Sequence, residues 1–473
     1  MASHICLRCL VRPSVSSFIS LSSISSPASI ASFSTTSAVA SSVGKKIPKK
    51  KPAAAKTKTG GFTLARRGAR SPATSAARKD PAAIRAQRKR IVLSNPNALL
   101  VPGLQELTIE NVLSSKPGTI LTLSNESIDA LRAAEAFKHT QGWNLFRQPS
   151  TLVTEQTREV AELINGIEQE GETNRNVYRE VVVGEKGAGK SVVALQTMAI
   201  ALQQGWVVIH IPEDLSQGQT TYIPTRSSSG STLYTQPDYT ASLLARISNA
   251  NEPVLSTLTL SKSHSFPIPI QPNISLSRLC DLGSSDPSIA PSIFTALLSE
   301  LTSPSSESHP RPPLLFSVDS IPHILRPSAY LDREARPIHA FDLALVDTFV
   351  SLLSGKTSLP NGGIVQAVDT GSNRPPAAAL DAHVRGKEAT RALAPFMTPY
   401  SPPDERVLAA LKGVAVRTVS GVSRIEARGV MEYYARSGVM RGVVDETRVG
   451  EAWTLAGGGV MAELEASLTR LRV

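Results

Sequence analysis

Cysteine is nearly absent from this 473-residue chain: Cys6, Cys9 and Cys280 are all it has. Three thiols cannot build a disulfide framework, and Cys6-x-x-Cys9 lacks the second pair that a tetrahedral zinc site needs. Also missing is any uninterrupted apolar run of the roughly 20 residues required to cross a bilayer, so no transmembrane segment is expected. Aromatic residues make up only 5% of the chain. Acidic residues are missing altogether from the first 79 positions; Asp80 stands alone against eighteen Lys and Arg in residues 1–90. The net charge of +11 therefore belongs to the N-terminal arm, and the rest of the chain is net acidic.

Residues 1–40 contain Arg8, Arg12, many serines and no acid, the composition of a mitochondrial transit peptide. A secretory signal would need its apolar core near Phe18–Ile24, where serines interrupt it. Cys6 and Cys9 read as presequence residues. Residues 41–93 follow, built from Lys, Arg, Ala, Pro, Gly and Ser, with basic clusters at Lys45-Lys46, Lys49-Lys50-Lys51, Arg66-Arg67 and Arg88-Lys89-Arg90. Such a segment buries too little apolar surface to fold alone. It is either an arm lying along a nucleic-acid backbone or a solvated linker. Phe62 is its sole aromatic residue, so base stacking is not supported. An N-terminal extension, residues 94–150, precedes the core.

The core announces itself at Gly184-Glu185-Lys186-Gly187-Ala188-Gly189-Lys190-Ser191, which fits G-x-x-x-x-G-K-[ST]. Val177–Val183 reads as a buried strand before it, and the glycine-free stretch Val192–Leu202 as a helix after it. The competing reading is a chance glycine turn, and these flanks argue against it. Glycines let the loop wrap a phosphate with inward N–H groups, and the helix N-terminus adds about half a positive charge. In this reading Gly184 to Val192 surround the phosphates. Lys190 reaches the terminal phosphates, and the Ser191 hydroxyl holds Mg²⁺.

Trp206–Pro212 reads as a second strand and Asp238–Ile247 as a helix. Residues 216–235, 249–275 and 284–313, rich in Ser, Pro and Thr, are expected to be loops or insertions. Leu314–Asp319 is an apolar strand ending in a carboxylate, the form of a Walker B element, so Asp319 would support the metal. Gly362–Val368 is a further strand. Ser372 and Asn373 just beyond it are candidate sensors of the terminal phosphate, or simple turn residues. The nucleotide-binding domain is thus placed at 151–394. A C-terminal helical module at 395–473, lid-like or winged-helix-like, follows. There Ser423 and Glu426 form a capping box, and Arg417, Arg424, Arg428 and Arg436 are candidates either for a phosphate contact or for a solvated helix face. The expected fold is a mostly parallel α/β sheet of the AAA-like P-loop class.

Two absences shape the functional reading. Ser320 follows Asp319 where many P-loop ATPases carry a water-polarising glutamate, so firm binding with little or no turnover is expected. No Asn-Lys pair occurs in the chain, so the guanine-reading Asn-Lys-x-Asp run is missing. The base is then adenine, or guanine read by other contacts.

Gly184–Ser191, Trp206–Pro212, Tyr234-Thr235-Gln236-Pro237, Leu315–Asp319, Ile338–Leu353, Ser423–Ala427 and Glu432–Val439, in this order, resemble the fungal form of the mitochondrial small-subunit ribosomal protein family known as death-associated protein three. The resemblance spans roughly residues 140–445. It implies a matrix protein of the small ribosomal subunit that touches its ribosomal RNA and neighbouring proteins. It also implies GTP or GDP with Mg²⁺, ATP remaining possible, held by Gly187, Gly189, Lys190, Ser191 and Asp319. An oligomeric AAA-type ATPase or chaperone is the alternative; the missing glutamate argues against it. A signalling scaffold has no positive support in the sequence.

Overall fold

The fold is given by a computed structural model that describes residues 91–170, 175–216, 220–226, 230–392 and 404–469. The transit-like start, nearly all of the basic arm, Cys6, Cys9 and the expected domain junction at 395 lie outside the described residues.

Five strands form the main sheet: β1 (Val177–Gly184), β2 (Val207–Ile211), β3 (Leu314–Asp319), β4 (Gly363–Val368) and β5 (Ala415–Val419). All neighbours are parallel, in the order β5-β1-β4-β3-β2. The chain leaves β1, crosses to the far edge at β2, and works back through β3 and β4 to the other flank of β1. Register aligns Val368 with both Val182 and Asp319. The carboxyl ends of β1, β3 and β4 therefore open at one edge of the sheet, where ligands of open α/β sheets bind.

β2, β3 and β4 are buried along their whole length because both faces are covered, whereas the edge strand β5 is partly exposed. Strand residues alternate between two cores. Val181, Val183, Ile209, Phe316, Val318, Val365 and Ala367 face one core. Val182, Val208, Leu315, Ile364 and Val368 face the other. The second core is covered by helices α1 (Glu155–Gln169) and α2 (Lys190–Gln203). The first is covered by α3 (Pro237–Ala250), α4 (Leu276–Ser285), α5 (Ala290–Leu301) and α6 (Ala344–Leu353). Trp206, fully buried on the α1–α2 side, donates its indole N–H to Glu168 of α1.

Helix α5 is a correction. The Ser/Pro/Thr-rich interval 284–313 is not simply loop. Pro291 starts α5 where a missing N–H costs nothing. Ile293, Phe294, Leu297, Leu298 and Leu301 then bury one face. The loop before α4 is tied to α5 through Glu300, fully buried, which accepts from Lys262 N at 2.8 Å and Ser261 N at 3.1 Å and pairs with Arg311. Composition hid an apolar helical period inside a polar average.

The C-terminal module is α7 (Arg424–Arg436), α8 (Glu446–Leu455) and α9 (Met461–Thr469). Its capping box is present: Ser423 Oγ accepts from Glu426 N, and Glu426 Oε2 accepts from Ser423 N at 2.7 Å. Among the described residues of the module there is no strand, hence no β-hairpin wing. The strand before it, β5, belongs to the main sheet, hydrogen-bonded to β1. Phe146 of the N-terminal extension packs on Tyr433 and Tyr434 of α7, ring centroids 4.8 Å apart in both pairs. No helix among the described residues is long and apolar enough to cross a membrane.

Candidate nucleotide site

β1 ends at Gly184 and α2 begins at Lys190, so the motif is a loop between strand and helix. Gly187 (φ 84°) and Gly189 (φ 106°) take left-handed conformations that other residues resist. Gly189 is the N-cap of α2 and offers no side-chain acceptor, so the first N–H groups of the helix face the loop without a capping oxygen. Lys190 is 5% exposed, and its Nζ donates to Gly184 O and Glu185 O, both at 2.8 Å. The ammonium is thereby folded into the loop it would share with a phosphate. Burial pushes its pKa below the ordinary lysine value, opposed by the charge of Asp369.

The flanking elements complete the site. Asp319, at the end of β3, accepts from Ser320 N at 2.9 Å through Oδ1, and its Oδ2 pairs with Lys138 of the N-terminal extension. After β4, Asp369 accepts from Arg374 Nε at 2.9 Å, and Arg374 also holds Asp381 at 2.6 Å. Gly371 runs so close to the loop that a Cβ there would stand 2.6 Å from Lys186 Cα. Ser372 and Asn373 sit on this same segment and are exposed. On the other side Ala462 N, in the first turn of α9, donates to Gly187 O at 3.1 Å. A Cβ on Gly187 would meet Ala462 Cβ at 2.7 Å. The glycine run before α9 is anchored in turn, since Val422 N donates to Gly459 O and Trp453 Nε1 to Val422 O, both at 2.7 Å. The phosphate loop thus has the last described helix of its own chain against it.

Ser320 occupies the place of the water-polarising glutamate. It is fully buried with φ 61°, and its hydroxyl finds no partner among the described residues. Asp332 does not substitute, because its carboxylate closes a turn by accepting from Glu334 N and Arg336 N. The four arginines proposed for a phosphate contact have other engagements. Arg417 pairs with Glu180 and Glu159, Arg428 with Glu432 and Glu446, Arg424 lies over the Trp453 ring, and Arg436 lines a surface cleft with Glu432 and Tyr433. Lys138, Asp369 and Arg374 were not singled out from the sequence. Asp369 and Arg374 follow an apolar strand as Asp319 does, a signal available in principle. Lys138 carries no local signal at all.

The residues present fit a phosphate: glycine amides, an uncapped helix start and a buried ammonium converge on the loop. Of the three cations there, Lys138 is paired with Asp319 and Arg374 with Asp369 and Asp381, so the pull on an anion comes from Lys190 and the amides of the helix start. For a metal the donor set is the Ser191 hydroxyl and the Asp319 carboxylate, hard oxygens of the kind Mg²⁺ takes. One oxygen of Asp319, however, is taken by Lys138.

His210 on β2 lies behind Asp319, 6% exposed. Burial pushes its pKa down to about 4, opposed by Asp319. An unfolded histidine takes up its proton near pH 6.5, whereas the folded one resists until about 4. Stability contributed by the neutral ring is complete above 6.5 and is lost as pH falls from 6.5 toward 4. Urea midpoints for His210→Gln should accordingly fall less steeply across that window than those of the native chain. Parallel curves would refute a buried neutral imidazole.

The profile of the family described as mitochondrial ribosomal death-associated protein 3 matches residues 151–467. The chain belongs to this family. A small ribosomal subunit protein mS29 from Neurospora crassa is 38% identical over 491 aligned positions, covering 100% of both chains. An mS29 from Schizosaccharomyces pombe is 24% identical, covering 70% of this chain and 67% of its own. Among solved structures, the Walker-type ATPase paby2304 of Pyrococcus abyssi aligns over 66% of this chain and 64% of its own, with 14% identity and a TM-score of 0.33. The ADP form of the Aeropyrum pernix ORC2 protein aligns over 66% and 60%, with 14% identity and a TM-score of 0.31. The chain spans less than two thirds of these archaeal proteins. The P-loop fold of the family member rests on its own strand order and loop geometry.

Proposed function

We propose that this chain is a structural constituent of the small subunit of the mitochondrial ribosome, serving translation in the matrix. In this reading it carries a purine nucleotide, GTP or GDP rather than ATP, that turns over little or not at all. The observation that carries the reading is full-length similarity to a mitochondrial ribosomal protein in a chain whose P-loop is complete. Gly184 to Val192 hold the phosphates, with Lys190 supplying charge. The Ser191 hydroxyl would hold Mg²⁺, which would neutralise phosphate charge, while Asp319, the expected second support, has one oxygen held by Lys138. With Ser320 next in sequence, no carboxylate follows Asp319 to polarise an attacking water. The contact between α9 and Gly187 favours slow exchange. The basic arm at 41–93 and the transit-like start at 1–40 agree with import and with contact to small-subunit ribosomal RNA. Neighbouring ribosomal proteins would cover the rest.

The reading is tested by sedimenting a mitochondrial lysate at moderate and high salt and probing for the chain. Co-migration with the small subunit through high salt is expected, since an integral component buries more than phosphate contacts alone. Turnover by the purified chain should fall well below the roughly 1–100 s⁻¹ of kinases. Migration as a free ring with rapid hydrolysis would instead support an AAA-type ATPase or chaperone.

A further inference from the structure

We propose that Lys138 is a nucleotide-site residue that holds the Asp319 carboxylate in place of a divalent metal and makes nucleotide retention largely independent of magnesium. The inference rests on the reading of Gly184–Ser191 as a nucleotide site.

The contact is made by a fixed strap. Lys138 N donates to Gln141 Oε1 at 2.9 Å, and the same oxygen accepts from Trp143 Nε1 at 2.6 Å. Phe137 and Trp143, on either side of the segment, are each 5% exposed and meet edge to face with centroids 5.2 Å apart. The strap is thereby clamped in the core beside α2, and the ammonium is delivered to a set place. Its target is equally set, because the Asp319 side chain is 7% exposed and its other oxygen accepts from its own following N–H. The carboxylate is sheltered while the Lys138 side chain stays 30% exposed, so the pair is screened from one side only and is held more firmly than one between two surface residues.

Magnesium sheds water reluctantly and demands near-octahedral oxygen donors. To use Asp319 it must first displace a bonded ammonium. The ammonium makes no such geometric demand and already supplies positive charge beside the loop. Lys190, Arg374 and Asp369 surround the same space, and the charges of Lys138 and Asp319 are both felt at Lys190. With Lys138 counted, the site offsets phosphate charge from the protein alone.

The test uses the full chain, purified and stripped of nucleotide. GDP and GTP, with ADP and ATP in parallel, are titrated calorimetrically in excess Mg²⁺ and in excess EDTA. The native chain should bind its preferred nucleotide with affinities within about threefold of one another in the two conditions, a difference under 1 kcal/mol. Lys138→Met should lose about tenfold or more in EDTA, the worth of a charged hydrogen bond, and regain most of it with Mg²⁺. Lys138→Arg, which keeps the charge, should stay within about threefold of native in EDTA. A native chain that binds only with Mg²⁺ overturns the proposal whether or not the methionine variant folds. So does a folded Lys138→Met with the native ratio of the two affinities. A native chain that binds no nucleotide in either condition instead removes the nucleotide reading on which the proposal stands.

Discussion

Lys190→Ala should weaken nucleotide binding by about 100-fold or more, which corresponds to roughly 2.7 kcal/mol. The buried ammonium donates to two carbonyls of the loop, Gly184 O and Glu185 O. In the bound state the same hydrogens would turn to phosphate. Charged hydrogen bonds contribute about 1.5–3 kcal/mol each, and no neighbour replaces this one. Arg374 is held by Asp369 and Asp381, and Lys138 by Asp319. The loss also appears as stability. With nucleotide at 100 times its dissociation constant, the native chain gains about 2.7 kcal/mol by mass action, and the variant forfeits nearly all of it. A thermal scan with and without GDP separates this from damage to the loop itself, because only the nucleotide-dependent part should vanish. Equal nucleotide-dependent shifts in native and variant protein would show that Lys190 does not touch the ligand.

Arg417→Ala should cost about 3–5 kcal/mol of folding stability, the range for stripping one partner from a buried ion pair. Arg417 on β5 places Nε 2.9 Å from Glu180 Oε2 on β1 and Nη1 2.5 Å from Glu159 Oε2 on α1. Glu180 is 5% exposed, and after the substitution only Gln366, 3.0 Å from its other oxygen, remains to it. An uncompensated carboxylate in the middle of the sheet is the source of the cost, so Glu180→Gln in the Arg417→Ala background should recover much of it. Urea unfolding of the four chains of this cycle measures the coupling. A change under about 1 kcal/mol for Arg417→Ala would mean that the pair behaves like a surface contact.

What was legible in the sequence follows from the range of the forces involved. Strands β2 to β4 are buried on both faces and read as apolar runs, so β1 to β4 lie within a residue or so of where composition put them. The phosphate loop was readable because its chemistry is local, needing glycine, lysine and a hydroxyl at fixed spacing. The capping box at Ser423 and Glu426 is local in the same sense. The membership of β5 in the main sheet was not readable, since a parallel pairing with a strand more than two hundred residues earlier leaves no trace in either segment. Lys138 was missed for the same reason: its partner is distant in sequence and its own surroundings are ordinary. Helix α5 was missed for a different one. Its serines and prolines dominated the average while five buried apolar residues kept the helical period beneath it.

We propose that the P-loop of this ribosomal family member holds a resident nucleotide rather than a substrate in transit. The most direct measurement is acid extraction of small ribosomal subunits, isolated through a tagged copy of this chain and washed in high salt, with the released nucleotides separated and counted. About one guanine nucleotide per tagged chain is expected, and almost none when the copy carries Lys190→Ala, a loss of about 100-fold in affinity being enough to empty the site during washing. Subunits that contain the native chain in full amount and release no nucleotide would contradict it.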